Sequence, residues 1–363
     1  MKTAWIRALT LSLGSAATAL AGCASEADEP NARVGLAAET ALPARRGSVI
    51  VDGCVVDTWQ RATLASPAAR KVLREVVLLC GVPRDDGVVG PRDASSRAAL
   101  AKVVSDLQSE GYRVHLGLAF TDETGQRYDG AQTARLLSEG AKRGTLVKTA
   151  RELAAPFDGV EVDLQGLPDE AREDVTALVS ALSADLRPAK SLAVFVPPSI
   201  SVPSDLPGGE AFSRGALAGQ VDRLRVMTLD YSDRGPGPTI DPGWAVDAAR
   251  LALAATPNVD VAYPLYGTDF GPRGTRAITY LEARAVAALG GLTVERGPTG
   301  APFVRYTAFG AEPHVLWFDD AESTTRALGA WTYDALPREV GVVFYGLGAE
   351  DPALFDALAA RTP

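Results

Sequence analysis

The segment Phe157-Asp158-Gly159-Val160-Glu161-Val162-Asp163-Leu164-Gln165 alternates polar and aliphatic side chains over its second half. In an extended chain successive side chains point to opposite faces, so Glu161, Asp163 and Gln165 share one face and Val160, Val162 and Leu164 the other. Two carboxyls and an amide in a row can orient a polar substrate, hold or move a proton and stabilise developing positive charge. Burying such a row carries a large desolvation cost, which argues for a site and against plain structure. The alternative is a half-exposed strand whose polar face simply meets solvent.

Other residues with chemical capacity are scattered. Asp230 and Tyr231 end one apolar run, Tyr266 ends another, and Tyr345 and Trp317 lie within apolar runs. Tyrosine and tryptophan can cover the apolar face of a sugar while their polar atoms bond to hydroxyls, although each of these also suits core packing. His115 and His314 are the two histidines of the chain. They lie in separate strand-like runs and offer no zinc-type constellation, so no metal and no cofactor is expected. Asp319-Asp320 reads as a helix N-cap in preference to a Ca²⁺ site. Ser199 and Ser201 lack the glycine pattern of a nucleophile elbow.

The elements that must position these groups alternate strand and helix. Strand-like runs cover 48–58, 75–82, 112–120, 157–164, 192–196, 224–231, 259–266 and 341–345. Helical runs cover 67–74, 95–110, 130–154 (broken near Gly140 or Gly144), 168–186, 241–255 and 321–332. Eight Val- and Leu-rich strands, with no Gly-rich phosphate loop after the first, predict a (β/α)₈ barrel in preference to a doubly wound sheet. A small α+β insertion is expected at about 270–318, between the seventh strand and the final helix. Active sites of barrels lie at the C-terminal ends of the strands, where the row ends in Asp163 and Gln165.

Of 363 residues, 47% are hydrophobic and the formal net charge is −9, which leaves no basic face for nucleic acid. Lys2 and Arg7 precede an apolar stretch, so residues 1–22 read as an export signal and not as a membrane span. Its end, Leu20-Ala21-Gly22-Cys23, resembles the lipobox of bacterial lipoproteins. That resemblance implies lipidation of Cys23, a membrane anchor through it and, with Ala24 following, the outer membrane of a Gram-negative cell. Residues 23–47 read as a tether, leaving 48–363 as the barrel. Cys54 and Cys80 form either a disulfide or two buried free thiols.

The fourth-strand segment resembles the signature of glycoside hydrolase family 18, the chitinase-like proteins, and especially their bacterial cell-wall and spore-associated branch. That signature reads Asp-Gly-x-Asp-x-Asp-x-Glu. Asp158 and Gly159 match its opening, Glu161 takes the place of the middle Asp, Asp163 matches the Asp that assists the substrate acetamide, and Gln165 replaces the catalytic Glu. Met227–Tyr231 is similar to the sixth-strand segment, Val261–Gly267 to the seventh, His314–Ser323 to the end of the insertion and Gly341–Gly346 to the eighth, with Tyr345 in place of the usual tryptophan. The resemblance implies Asp163, Gln165, Glu161 and Asp230 as the catalytic set. It implies Asp158, Tyr231, Tyr266, Tyr345 and Trp317 as substrate-binding residues.

An amide cannot transfer a proton at useful acidity. The leading expectation is therefore a surface-anchored binder of N-acetylglucosamine-containing glycan, such as chito-oligosaccharide or peptidoglycan, that is catalytically inactive or weak. The alternatives are an active hydrolase with a non-standard acid, from Glu161, Asp163, Glu170 or Glu210, and a scaffold that binds no glycan. Glu161 lies ~13 Å down an extended strand from Gln165.

Overall fold

A computed structural model describes residues 47–92, 97–121, 128–308, 312–332 and 335–362. The leader, Cys23 and nearly all of the tether lie outside the described residues. Eight parallel strands, Gly47–Val51, Leu73–Pro83, Arg113–Ala119, Gly159–Asp163, Ser191–Val196, Arg223–Val226, Val259–Pro264 and Gly341–Tyr345, follow one another around a ring. The first strand closes the ring by pairing with both the second and the eighth, with Val51 opposite Leu78 and Ile50 opposite Tyr345. The protein is a (β/α)₈ barrel, as the strand–helix alternation predicts.

The two faces of each strand have different fates. Val160, Val162 and Leu164 point outward with Val114, Leu116 and Leu118 of the neighbouring strand and pack against helical residues such as Leu178 and Leu182. Each such fully buried leucine contributes ~1.5–3 kcal/mol relative to exposure. Inside the barrel an upper layer is apolar and aromatic, with Ile50, Val77, Leu79, Phe195, Ala262, Tyr266, Val343 and Tyr345. A lower layer is polar and holds Ser48, Glu75, His115, Glu161, Arg225 and Asp260, all buried.

Local chemistry sets the helix limits. Asp241 accepts from Trp244 N–H and Pro242 opens the helix Pro242–Leu253, where its missing N–H leaves nothing unpaired. Asp320 accepts from Ser323 N–H at the start of Ala321–Thr332, the N-cap role read from the sequence. The long helical run after 130 breaks at Glu139 into Gly130–Ser138 and Gly140–Leu153. After Pro168 a 3₁₀ turn, Asp169–Ala171, precedes the helix Arg172–Leu186.

Between the seventh strand and the final helix a five-stranded antiparallel sheet packs on the helix Tyr280–Gly290. Two of its strands, Pro302–Ala308 and Glu312–Trp317, follow the strand-like runs of the sequence. The hairpin Gly267–Gly271 and Gly274–Ile278 was not expected, because its polar, glycine-rich residues carry no strand pattern. Cys54 and Cys80 are joined as a disulfide, with Cα atoms 4.7 Å apart, so the alternative of two free thiols is set aside.

Candidate active site

The fourth strand directs Glu161 and Asp163 into the barrel, both fully buried, and leaves Gln165 half-buried beyond its end. Asp163 accepts the Tyr128 hydroxyl on Oδ2 at 2.5 Å, and Gln165 Nε2 lies 3.1 Å from its Oδ1. Burial raises Asp163 to about 6, against these two hydrogen bonds, which favour its ionised form. On the opposite side, Tyr266 donates to Asp230 Oδ1 at 2.7 Å, and burial again raises that carboxyl. Asp230 adopts φ +56, the left-handed region that few residues other than glycine enter. Tyr345 is buried between these groups, in the same layer as Tyr266 and edge-on to Phe195. Tyr231 is exposed and its ring lies 5.2 Å from that of Trp244. Asp163, Gln165, Asp230, Tyr266 and Tyr345 are thus brought together at the C-terminal end of the barrel.

Three expected residues, Asp158, Trp317 and Glu161, lie elsewhere. Asp158 is at the opposite end of the fourth strand, where its Oδ2 accepts from Val114 N–H at 2.8 Å and from Gln108 at 3.1 Å. It ties strand to strand and helix and does not reach the site. Trp317 belongs to the inserted sheet, stacked on Phe303 with ring centroids 4.5 Å apart and 8% exposed. Of the substitute acids, Glu210 is paired with Arg172 and accepts from Ser204 N–H, which commits it to its own loop.

Glu161 belongs to the polar layer below. Arg225 Nη1 lies 2.6 Å from its Oε2, Arg225 Nη2 bonds Glu75, and Arg225 Nε is 3.5 Å from Asp260. His115 Nε2 is 3.3 Å from Glu75 and 2.8 Å from Ser191 Oγ. Gly159 makes room for that pair, since a Cβ there would stand 2.7 Å from His115 Nε2 and closer still to Ser191 Oγ. Oxygen and nitrogen atoms of Glu75, His115 and Glu161 lie within 4.8 Å of one another, a spacing that could hold a metal ion. The Arg225 guanidinium already supplies the positive charge there.

Three carboxyls therefore face Arg225 and the half-buried Arg223. One of them keeps its proton. Burial, with Glu75, Asp163 and Asp260 adding to it against Arg225, pushes Glu161 up to about 8. Burial would also raise Glu75, but Arg225, His115 and Arg223 outweigh it and bring Glu75 down to about 2. Burial lowers His115 to about 4 and keeps it neutral.

A carboxyl whose folded pKa exceeds its unfolded value stabilises the fold while protonated, and that contribution fades as pH rises through the folded pKa. For Glu161 the window runs from about 4.5 to about 8. Denaturant midpoints measured from pH 5 to 9 are expected to fall with rising pH, and Glu161→Gln is expected to flatten that fall. A wild-type midpoint that rises across this range would rule out a protonated Glu161.

Tyr128 and Arg225 were missed in the sequence. Arg225 and Glu75 carried a signal, because alternation within Leu224–Val226 and Glu75–Leu79 puts both on the inward face. Tyr128 carried none, since it stands outside the strand-like runs.

The comparisons with known proteins agree with the barrel. No protein-family model matches the chain. It is 26% identical over 243 residues to the cortical fragment-lytic enzyme of Bacillus subtilis, covering 63% of this chain and 53% of that protein. The chain thus spans about half the length of the curated relative it matches. Among solved structures it is similar to the spore cortex-lytic enzyme SleL of Bacillus cereus, with TM-score 0.73, 17% identity and coverage of 89% of this chain and 76% of that one. It is also similar to a chitinase of Chromobacterium violaceum, with TM-score 0.71, 20% identity and coverage of 88% and 99%. The fold is that of the family 18-like chitinases and cortex-lytic enzymes.

Two expectations are corrected by these findings. A silent glycan binder was expected because Gln165 removes the familiar proton donor. The buried Glu75–His115–Glu161 cluster, the carboxyls at Asp163 and Asp230 that burial shifts toward holding protons, and the similarity to the cortical fragment-lytic enzyme count against the pseudoenzyme reading, which is set aside. A lipid-anchored protein of a Gram-negative outer membrane was also expected. The curated relative and the SleL enzymes are Gram-positive spore-cortex proteins, and the two described cysteines are bonded to each other. No described helix is long and apolar enough to cross a membrane, and Cys23 lies outside the described residues.

Proposed function

We propose that the chain hydrolyses an N-acetylglucosamine-containing polymer of the chitin or peptidoglycan type, with its proton supplied by Asp230 and not by position 165. The observation that carries this reading is the state of Asp230. It is a half-buried carboxyl at the barrel mouth whose Oδ1 accepts the Tyr266 hydroxyl and which burial shifts toward its protonated form. Its left-handed backbone is the kind of local strain that persists where a side chain must be aimed.

Asp163, ionised above about pH 6, receives the acetamido N–H of the substrate and turns the acetamido oxygen toward the anomeric carbon. A bond forms between that oxygen and the anomeric carbon as the glycosidic C–O bond breaks, and the Asp230 proton passes to the leaving sugar oxygen. Water then opens the cyclic intermediate, with Asp230 taking back a proton. Gln165, at the position of the family's acid, holds Asp163 by its amide and can donate a hydrogen bond to the glycosidic oxygen. The leader 1–22 reads as an export signal, and the Cys54–Cys80 bridge supports an oxidising compartment.

Release of reducing ends from chitohexaose and from purified peptidoglycan tests this reading. The wild-type protein is expected to turn over at least one polymer, and Asp230→Asn to lower kcat by ~10²–10⁴. An unchanged kcat in Asp230→Asn would remove Asp230 from the acid role. No wild-type turnover on either polymer would sink hydrolysis altogether.

A further inference from the structure

In the empty site Asp163 is 0% exposed, so no substrate group can touch its carboxyl until a side chain that covers it moves. Among the described residues, two side chains hydrogen-bond to that carboxyl. Tyr128 donates to Oδ2 at 2.5 Å and is packed against the apolar upper layer of the barrel, which holds its ring. Gln165 spans both oxygens, with Nε2 3.1 Å from Oδ1 and 3.3 Å from Oδ2, and stands half-buried beyond the end of the strand. An amide that faces a carboxylate presents its nitrogen, because its own oxygen would be repelled. Its two contacts are longer than the Tyr128 bond, and one nitrogen is shared between them.

The backbone beneath Gln165 is held in place. Gly166 turns with φ +66, and its carbonyl is pressed so closely on Gly130 that no Cβ would fit there. The Leu167 carbonyl is pressed in the same way on Gly208. Uncovering Asp163 therefore falls to the Gln165 side chain, which is long, flexible and closest to the cleft.

We propose that the Gln165 carboxamide is a built-in stand-in for the acetamido group of the substrate, seated on Asp163 until an N-acylated sugar displaces it. The exchange is nearly even in chemistry, since one amide N–H leaves the carboxylate and another takes its place. It is also nearly even in volume, since the acyl group fills the space that the carboxamide vacates. A sugar bearing a hydroxyl in that position would leave a hole there, and holes are costly. The displaced Gln165 N–H is then free for the glycosidic oxygen, so recognition of the acyl group and contact with the leaving sugar become one event. That second bond is to a neutral acceptor and is weaker than the one given up.

The inference rests on the glycan reading of this cleft, but its test needs no turnover. Calorimetric titration with chitohexaose compares the wild type with Gln165→Ala and Gln165→Met, which remove the amide and differ in bulk. Both variants are expected to bind chitohexaose ~3-fold tighter or more, because a hydrogen bond no longer has to be broken. In ¹H–¹⁵N spectra the Gln165 side-chain amide pair, assigned by its loss in Gln165→Ala, is expected to shift with chitohexaose and to stay in place with cellohexaose. Equal or weaker binding in both variants, an amide pair unmoved at saturation, or no binding of chitohexaose by any of the three proteins overturns the assignment. Displacement without release of reducing ends would keep the stand-in and discard hydrolysis; release of reducing ends with an unmoved amide would do the reverse.

Discussion

Asp163→Asn is expected to abolish measurable hydrolysis, lowering kcat by ~10³-fold or more while leaving the denaturant midpoint within about 1 kcal/mol of wild type. The substituted amide keeps the size of the carboxyl and can still accept the Tyr128 hydroxyl through its oxygen. It cannot carry the negative charge that orients the acetamido group and balances the positive charge forming on it. Loss of one preorganised charge in a water-poor site costs far more than loss of a hydrogen bond in water. Because burial already disfavours ionised Asp163, removing its charge adds no folding penalty. Steady-state kinetics on chitohexaose, with urea melts of the same samples, checks both halves. A variant that keeps a tenth of wild-type kcat would exclude Asp163 from the transition state.

Arg225→Met is expected to be the most destabilising of the single changes considered, at ~3–5 kcal/mol. Arg225 is fully buried and is bonded to Glu75 and Glu161, with Asp260 alongside. Removing it takes the guanidinium from Glu161 and leaves Glu75 and Asp260 facing Arg223 at 3.8 and 3.7 Å. The cost is that of stranded charge and not of the ion pairs themselves, which gain little over a well-packed apolar layer. The loss should therefore shrink at low pH, where the carboxyls take up protons, and in the double variant with Glu75→Gln. Guanidinium denaturation at pH 5 and 8 provides the measurement. A loss below about 1 kcal/mol at pH 8 would show that the layer is hydrated and that Arg225 does not hold it together.

The two layers inside the barrel explain why the fourth strand reads so well and so incompletely as sequence. Glu161 and Asp163 are one repeat apart on one face, and period-two alternation alone assigns both to the interior. Their roles diverge because of what faces them. Glu161 meets Arg225 and two other carboxyls and becomes a neutral member of a structural charge layer. Asp163 meets Tyr128 and Gln165 and becomes a candidate catalytic group. None of these partners lies within the same strand except Gln165, so no local pattern could separate the two acids.

The same distinction applies to the residues drawn from family resemblance. Tyr266 and Tyr345 end strands that converge on the site, and a strand end has one place to go in a closed barrel. Trp317 sits in an inserted sheet, where its direction depends on Phe303 and on packing that the run His314–Phe318 does not encode. Asp158 opens the signature whose Asp163 reaches the site, yet it precedes the strand and is spent on the backbone of the third strand. A reading that treats a motif as a unit therefore overcounts.

By itself the sequence determined the barrel and the inward direction of Glu161 and Asp163. Each of these follows from local periodicity or residue chemistry, which need no knowledge of distant neighbours. Only the tertiary structure decided which carboxyls hold protons, because proton affinity depends on burial and on charges brought from other strands. It also joined Cys54 to Cys80 and set Tyr128 and Gln165 against Asp163.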